Sequence, residues 1–396
     1  MVVPYEARIQ DRRLAGGCQT CVGARCNTNH SSTDCGLWRW LASSGTILWP
    51  QSWWGEGWLT RWGALGVPLF FVLSGYLITT LLLNARDAYP VSASARVGVW
   101  WRFGIRRALR LFPAYYLVIV IGLAFGVTGI VGLWPWHVTY TSNIWTAYTG
   151  NPMFAATHFW SLAVEEQFYL LWPMIILFCP VDKMGWVIGA VLAIGPLFRG
   201  WWEGPDVLLL SRVDQLGGGA MLAWLAHQQH RSVIERVVRV GRWVLPVLLA
   251  VFFVVWYLEH DRLHQMHPSF MLAVTWASVC LVWSASQGRG GRWGKLLELP
   301  VMTYLGRLSY SLYLTHPLVA PCLLSAFGRS QVKAVVGGPS AWFAVQVLLS
   351  VLVSMALYHL IELPFGKLKR YFPYVKPGSD SAERVSASIT DRERSP

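Results

Sequence analysis

An all-α, polytopic membrane helix bundle is the fold class this sequence predicts, and three observations carry it. Hydrophobic residues make up 54% of the 396 positions and charged ones only 13%, too few charges for a water-facing surface. Two runs, Ala64 to Leu83 and Leu111 to Leu133, contain no charge, and each is long enough to cross a hydrocarbon core of roughly 30 Å as helix. Basic residues then concentrate in alternate loops, the bias that separates the two sides of a membrane.

Seven further apolar segments follow, at 166–181, 186–198, 207–226, 243–258, 269–286, 302–325 and 340–361, which makes nine expected spans. Trp53, Trp54, Trp58 and Trp62 precede the first span, and Trp134 and Trp136 follow the second, as headgroup-level anchors do. Between those spans Arg86, Arg96, Arg102, Arg106, Arg107 and Arg110 face a lone Asp87, so this loop is assigned to the cytoplasm. Residues 134–158 carry no Lys, Arg, Asp or Glu and fall outside. Arg231, Arg236, Arg239 and Arg242, then Arg289, Arg292 and Lys295, return to the inside, with Arg329 and Lys333 a mild exception on the outer face. Lys367, Lys369 and Arg370 make the C-terminus cytoplasmic, and residues 371–396 read as a disordered tail.

Net charge +13 would suggest nucleic acid for a soluble chain, but no basic run is interleaved with exposed aromatics, so no nucleic-acid partner is expected. Cys179, Cys280 and Cys322 lie in or beside apolar segments and read as small hydrophobes. Residues 1–56 are anomalous. Within them residues 8–36 gather Cys18, Cys21, Cys26, Cys35 and His30 without a long apolar run, so that stretch does not span a bilayer. A zinc cluster, a disulfide-bearing outer segment and an altered reading frame are the three readings. The last is preferred, with residues 1–56 dispensable or incorrectly translated and catalysis impaired as a result.

The sequences VPLFFVLSGYLIT from Val67, RRALRLFPAYY from Arg106, HFWSLAVEEQFYLLWP from His158, GRLSYSLYLTHPL from Gly306 and IELPF from Ile361 follow in that order. Together they resemble the acyltransferase-3 family of membrane O-acylases, over residues 57–370. The resemblance implies a bundle of about ten helices, donation from cytoplasmic acyl-CoA, and transfer to a hydroxyl. It also implies an opening helix that ends in a histidine, the best candidate general base, and this sequence shows neither.

The residues themselves give partial support. An ionisable group in a span is costly and usually functional or paired. Glu165 shares a helical face with Tyr169 and occupies the family's glutamate position, whereas Glu166 is expected at the membrane boundary. Arg106, Arg107 and Arg110 have the spacing to turn two guanidinium groups toward phosphate, and the resemblance assigns them to the acyl donor. Tyr310, Tyr313 and His316 form a stripe that lines a substrate channel or serves as hydrogen-bonded structure. Glu165, His158, His316 and Tyr310 are therefore the candidate catalytic residues. Ser74 and Gly75 are expected to allow close helix packing, Arg212 and Asp214 to line a cavity or pair elsewhere, and Glu362 to anchor a helix end.

The expected function is transfer of an acyl group, acetyl by preference, from acyl-CoA as co-substrate to a hydroxyl of an envelope glycan, lipid or small molecule. Neither a metal nor another cofactor is called for. The setting is the cell membrane, with membrane lipids as surroundings. The alternatives are a catalytically silent scaffold or lipid-binding relative and, more weakly, a transporter, since no inverted repeat is visible between the halves.

Overall fold

The computed structural model describes residues 66–88, 93–151, 156–202, 204–258, 268–286, 295, 298–328, 330–332 and 339–374. The anomalous segment 1–56, with Cys18, Cys21, Cys26, Cys35 and His30, lies outside the described residues, as does the tail from 375. All regular structure among the described residues is helical.

Helices α1 (Gly66–Asp87) and α2 (Ala93–Ala124) are followed by short helices α3 (Thr128–Val131), α4 (Trp134–Val138) and α5 (Ser142–Thr149). Then come α6 (Phe159–Phe178), α7 (Val181–Trp201), α8 (Leu209–His227), α9 (Arg231–Leu258), α10 (Pro268–Ser286), α11 (Pro300–Phe327) and α12 (Pro339–Leu357). A π-turn at Tyr358–Glu362, α13 (Leu363–Lys367) and a 3₁₀ turn at Leu368–Tyr371 close the described chain. Nine long helices thus coincide with the nine apolar segments. Five stretches are both long and apolar enough to cross a membrane: α1, α2, α6, α7 and Ala341–Tyr371. On that measure the expected nine crossings are not reached among the described residues. Trp186, Leu197, Trp243 and Leu360 stand exposed, as lipid-facing apolar residues do. The protein is an integral membrane protein.

Two boundaries correct the sequence reading. Five of the six clustered arginines, Arg96 to Arg110, belong to the body of α2, because the chain turns helical at Ala93, well before the uncharged run, and Arg86 lies in the last turn of α1. Glu165 and Glu166 lie inside α6, which starts at Phe159 rather than after the charges. An uncharged run marks where a helix meets lipid, and a face turned toward neighbouring helices can carry charge.

Close contact of α8 with its neighbours organises the bundle. A side chain on Gly217 would strike Val191 of α7, one on Gly218 Val279 of α10, and one on Gly219 the backbone of Val72 in α1. Gly75 of α1 abuts the Leu216 carbonyl in return, which bears out the packing expected there. At the end of α6, Pro180 has no N–H for the Ile176 carbonyl. Arg86 donates to that oxygen at 2.7 Å and Arg96 to the Leu177 oxygen at 3.1 Å. Two of the six clustered arginines therefore cap a helix.

Candidate active site

Helix α6 presents its polar side chains in sequence along one interior column. His158 precedes its first turn, Ser161 follows, then come Glu165 and Tyr169, and Ser161, Glu165 and Tyr169 are all buried. At about 1.5 Å per residue, His158 and Tyr169 stand roughly 16 Å apart along the axis.

At the first end, His158 Nε2 lies 3.2 Å from the Leu314 carbonyl of α11, so this nitrogen carries the proton. Tyr313 donates to the His158 carbonyl at 3.2 Å and also meets Ser161. The His158 and His316 rings are 5.7 Å apart, and Tyr313 lies between 5.5 and 5.9 Å from each. His316 Nδ1 is 2.7 Å from the Leu312 carbonyl and must donate to it. Its Nε2 is therefore the lone-pair nitrogen, buried and without a hydrogen-bond partner among the described residues. Two expected site residues, far apart in sequence, are brought together here.

Two turns further along α6, Tyr169 donates its only proton to Glu165 Oε1 at 2.8 Å. Ser74 Oγ, 2.6 Å from the Tyr169 oxygen, must then be the donor to it. Ser74 is thus more than a small packing residue. Glu166, expected at the boundary, buries Oε1 without a hydrogen-bond partner among the described residues. The expected separation of Glu165 from Glu166 holds in partners, since only Glu165 has hydrogen-bonded support, but both carboxyl groups are interior.

The three candidate donor-binding arginines diverge. Arg106 donates to the carbonyls of Lys369 and Phe372 at 2.8 and 3.1 Å and stacks on Tyr374. Burial raises the Tyr374 hydroxyl pKa, and the neighbouring Arg106 charge opposes that rise. Arg106 is therefore engaged in holding the C-terminal turn. Arg107 lies over the Tyr169 ring at 4.6 Å, which brings it into the column. Arg110 faces a cavity of about 390 Å³, lined also by Arg307, Tyr358, Glu362, Lys367 and Lys369. Tyr310, a candidate catalytic residue, instead donates to the Leu111 carbonyl of α2 at 2.9 Å. The structure places it as a tether between α11 and α2. Glu362 accepts from Ser311, so it does anchor a helix junction.

Arg212 and Asp214 part company as well. Asp214 forms a two-pronged ion pair with Arg199 of α7, 2.8 Å on each arm, in space left by Gly195. Arg212 donates to the Asp206 carbonyl at 2.7 Å, meets Met271, and lies over Trp160. Burial raises the Asp206 carboxyl in that loop, with Arg212 and Arg199 opposing. On the short helix α4, buried His137 donates to the Gly129 carbonyl at 3.0 Å, and burial lowers its pKa.

Sequence reasoning passed over Ser161, Tyr313 as the link between the histidines, Arg199 as the partner of Asp214, and the cations Arg307, Lys367 and Lys369. Only Tyr313 carried a local signal, its three-residue step within the stripe. The others become neighbours through tertiary contact.

The family model described as an acyltransferase domain, of the acyltransferase-3 type, matches residues 35–359. A Staphylococcus aureus (strain COL) protein named as a candidate O-acetyltransferase is 27% identical over 365 residues, covering 83% of this chain and 56% of the relative. The O-acetyltransferase OatA of Staphylococcus aureus (strain NCTC 8325) is 26% identical over 349 residues, covering 78% and 53%. The chain thus spans about half the length of these curated relatives. No solved structure matches it.

Proposed function

Because the chain belongs to the acyltransferase-3 family, we propose that it is a membrane O-acetyltransferase, moving acetyl from acetyl-CoA to a hydroxyl on an envelope glycan, lipid or small molecule. The observation that carries the chemistry is His316, with Nδ1 fixed on a carbonyl and Nε2 left as a buried base beside His158. Nε2 takes the acceptor hydroxyl proton as the oxygen attacks the thioester carbonyl. The tetrahedral intermediate collapses, the C–S bond breaks, and the departing CoA thiolate recovers that proton from the imidazolium. Tyr313 and Ser161 hold the acceptor end. Glu165, set by Tyr169 and Ser74, fixes the polar column through which the thioester arrives.

Arg107 and Arg110 face the donor, the C-terminus lies in the cytoplasm, and the cell membrane is the setting. The relatives' names support O-acetyl transfer and lend nothing to a silent scaffold. The test is to incubate membranes carrying the chain with radiolabelled acetyl-CoA and count label released by mild alkali from lipid, polymer and soluble fractions. Alkali-labile label in one fraction identifies the acceptor class. No such label in any fraction, with the protein present and folded, overturns the reading.

A further inference from the structure

The cavity beside Arg110 draws its cations from three parts of the chain: Arg110 on α2, Arg307 on α11, and Lys367 and Lys369 at and after α13. Against these four stands one carboxylate, Glu362, already accepting from Ser311. No side-chain hydrogen bond or ion pair engages any of the four cations among the described residues. Arg86, Arg96 and Arg106, by contrast, all donate to backbone carbonyls. Lys369 is also within electrostatic reach of Arg106 and Arg107, so the positive field extends from the cavity toward the column on α6. Four cations against one acid leave three positive charges in a concave site, a poor fold stabiliser and a good host for a multiply charged anion.

Resting on the donor assignment above, we propose that this cavity holds the 3′-phosphate of CoA, a terminal phosphomonoester, with Arg307, Lys367 and Lys369 as binding residues beside Arg110. A phosphomonoester carries close to two charges and three accepting oxygens, which suits several cations better than a diester does. Planar guanidinium groups can grip two of those oxygens, and the lysines supply point charge. The distance also fits. Arg307 and His316 are nine residues apart on α11, roughly 13 Å along the axis, and the extended phosphopantetheine arm is long enough to cover it. A nucleotide anchored in the cavity would therefore deliver its thioester to the His316 end.

The experiment titrates CoA and dephospho-CoA, which lacks only the 3′-phosphate, into the detergent-purified full chain, with and without phosphatidylglycerol in the micelles. The unaltered protein is expected to bind CoA about tenfold more tightly than dephospho-CoA, the effect of one charge-assisted hydrogen bond. Lys369→Gln and Arg307→Gln should each bring that ratio toward one, with dephospho-CoA affinity held within about twofold. Arg307 is exposed and Lys369 half-buried, so neither change should unfold the chain, and Lys369→Arg should retain the ratio.

A ratio unchanged in both glutamine variants overturns the proposal by placing the phosphate elsewhere. Phosphatidylglycerol that displaces both nucleotides equally also overturns it, in favour of a lipid-headgroup site. If the unaltered protein binds neither nucleotide, the donor assignment itself fails and takes this inference with it. Binding of both nucleotides without a cavity-dependent ratio leaves the donor assignment standing.

Discussion

The contact between α7 and α8 and the cavity beside α2 both hold an arginine of a hydrophobic protein, one buried and one exposed at the cavity, and they treat its charge in opposite ways. Arg199 meets Asp214 on two arms and is nearly inaccessible, whereas Arg110 shares its space with three other cations and one carboxylate. The first arrangement neutralises charge and fixes two helices against each other; the second leaves charge open to an arriving anion. Residue type alone does not separate the two roles. Partners do.

The sharpest way to break this contrast is to remove one member of the paired region. Asp214→Leu strands a buried guanidinium and is expected to cost about 3–5 kcal/mol, read as loss of a monodisperse peak on heating detergent-purified protein. Removal of one open cation by Lys367→Gln should leave that thermal profile unchanged. Equal destabilisation by both substitutions would erase the distinction.

At the residues proposed for catalysis the expected effect is on rate. His316→Gln should lower acetyl transfer by roughly a hundredfold or more, within the usual contribution of a general base, while the protein stays folded. Tyr169→Phe removes the donor to Glu165 Oε1 and strands Ser74, a change worth about 1–3 kcal/mol, expected as a lower transfer rate with donor affinity retained. Activity and donor binding measured side by side check this split.

The smallest effect concerns the short helices α3 and α4. Burial keeps His137 neutral in the folded protein, its pKa below the ordinary value near 6.5. Above that value neither state binds the proton, so pH has no influence through this residue. As pH falls below it the unfolded chain takes up the proton first, and stability declines. Protection against hydrogen exchange around residues 128–138, taken relative to the intrinsic rate at each pH, should therefore fall between about pH 6.5 and 5, and His137→Gln should flatten that dependence.

Much of the fold was legible because lipid imposes a simple rule on composition. All nine apolar segments became helices, and Gly217, Gly218 and Gly219 lie where α8 is approached most closely. The charged boundaries were misplaced because an uncharged run shows only the lipid-facing part of a helix: α2 begins eighteen residues before Leu111. The pairing of Glu165 with Tyr169 was readable from a four-residue spacing. The meeting of His158 with His316 was not, since 156 residues separate His158 from its hydrogen-bond partner Leu314. Arg106, Arg107 and Arg110 looked equivalent by spacing, yet each faces a different neighbour.

On the proposed function, this chain transfers acetyl to oxygen with His316 as the base. Membranes holding equal amounts of the unaltered chain and of His316→Gln, each given labelled acetyl-CoA, test it most directly. Alkali-labile label is predicted with the unaltered chain, and about a hundredfold less with the variant. Equal alkali-labile label from both, or label that resists mild alkali, would contradict the claim.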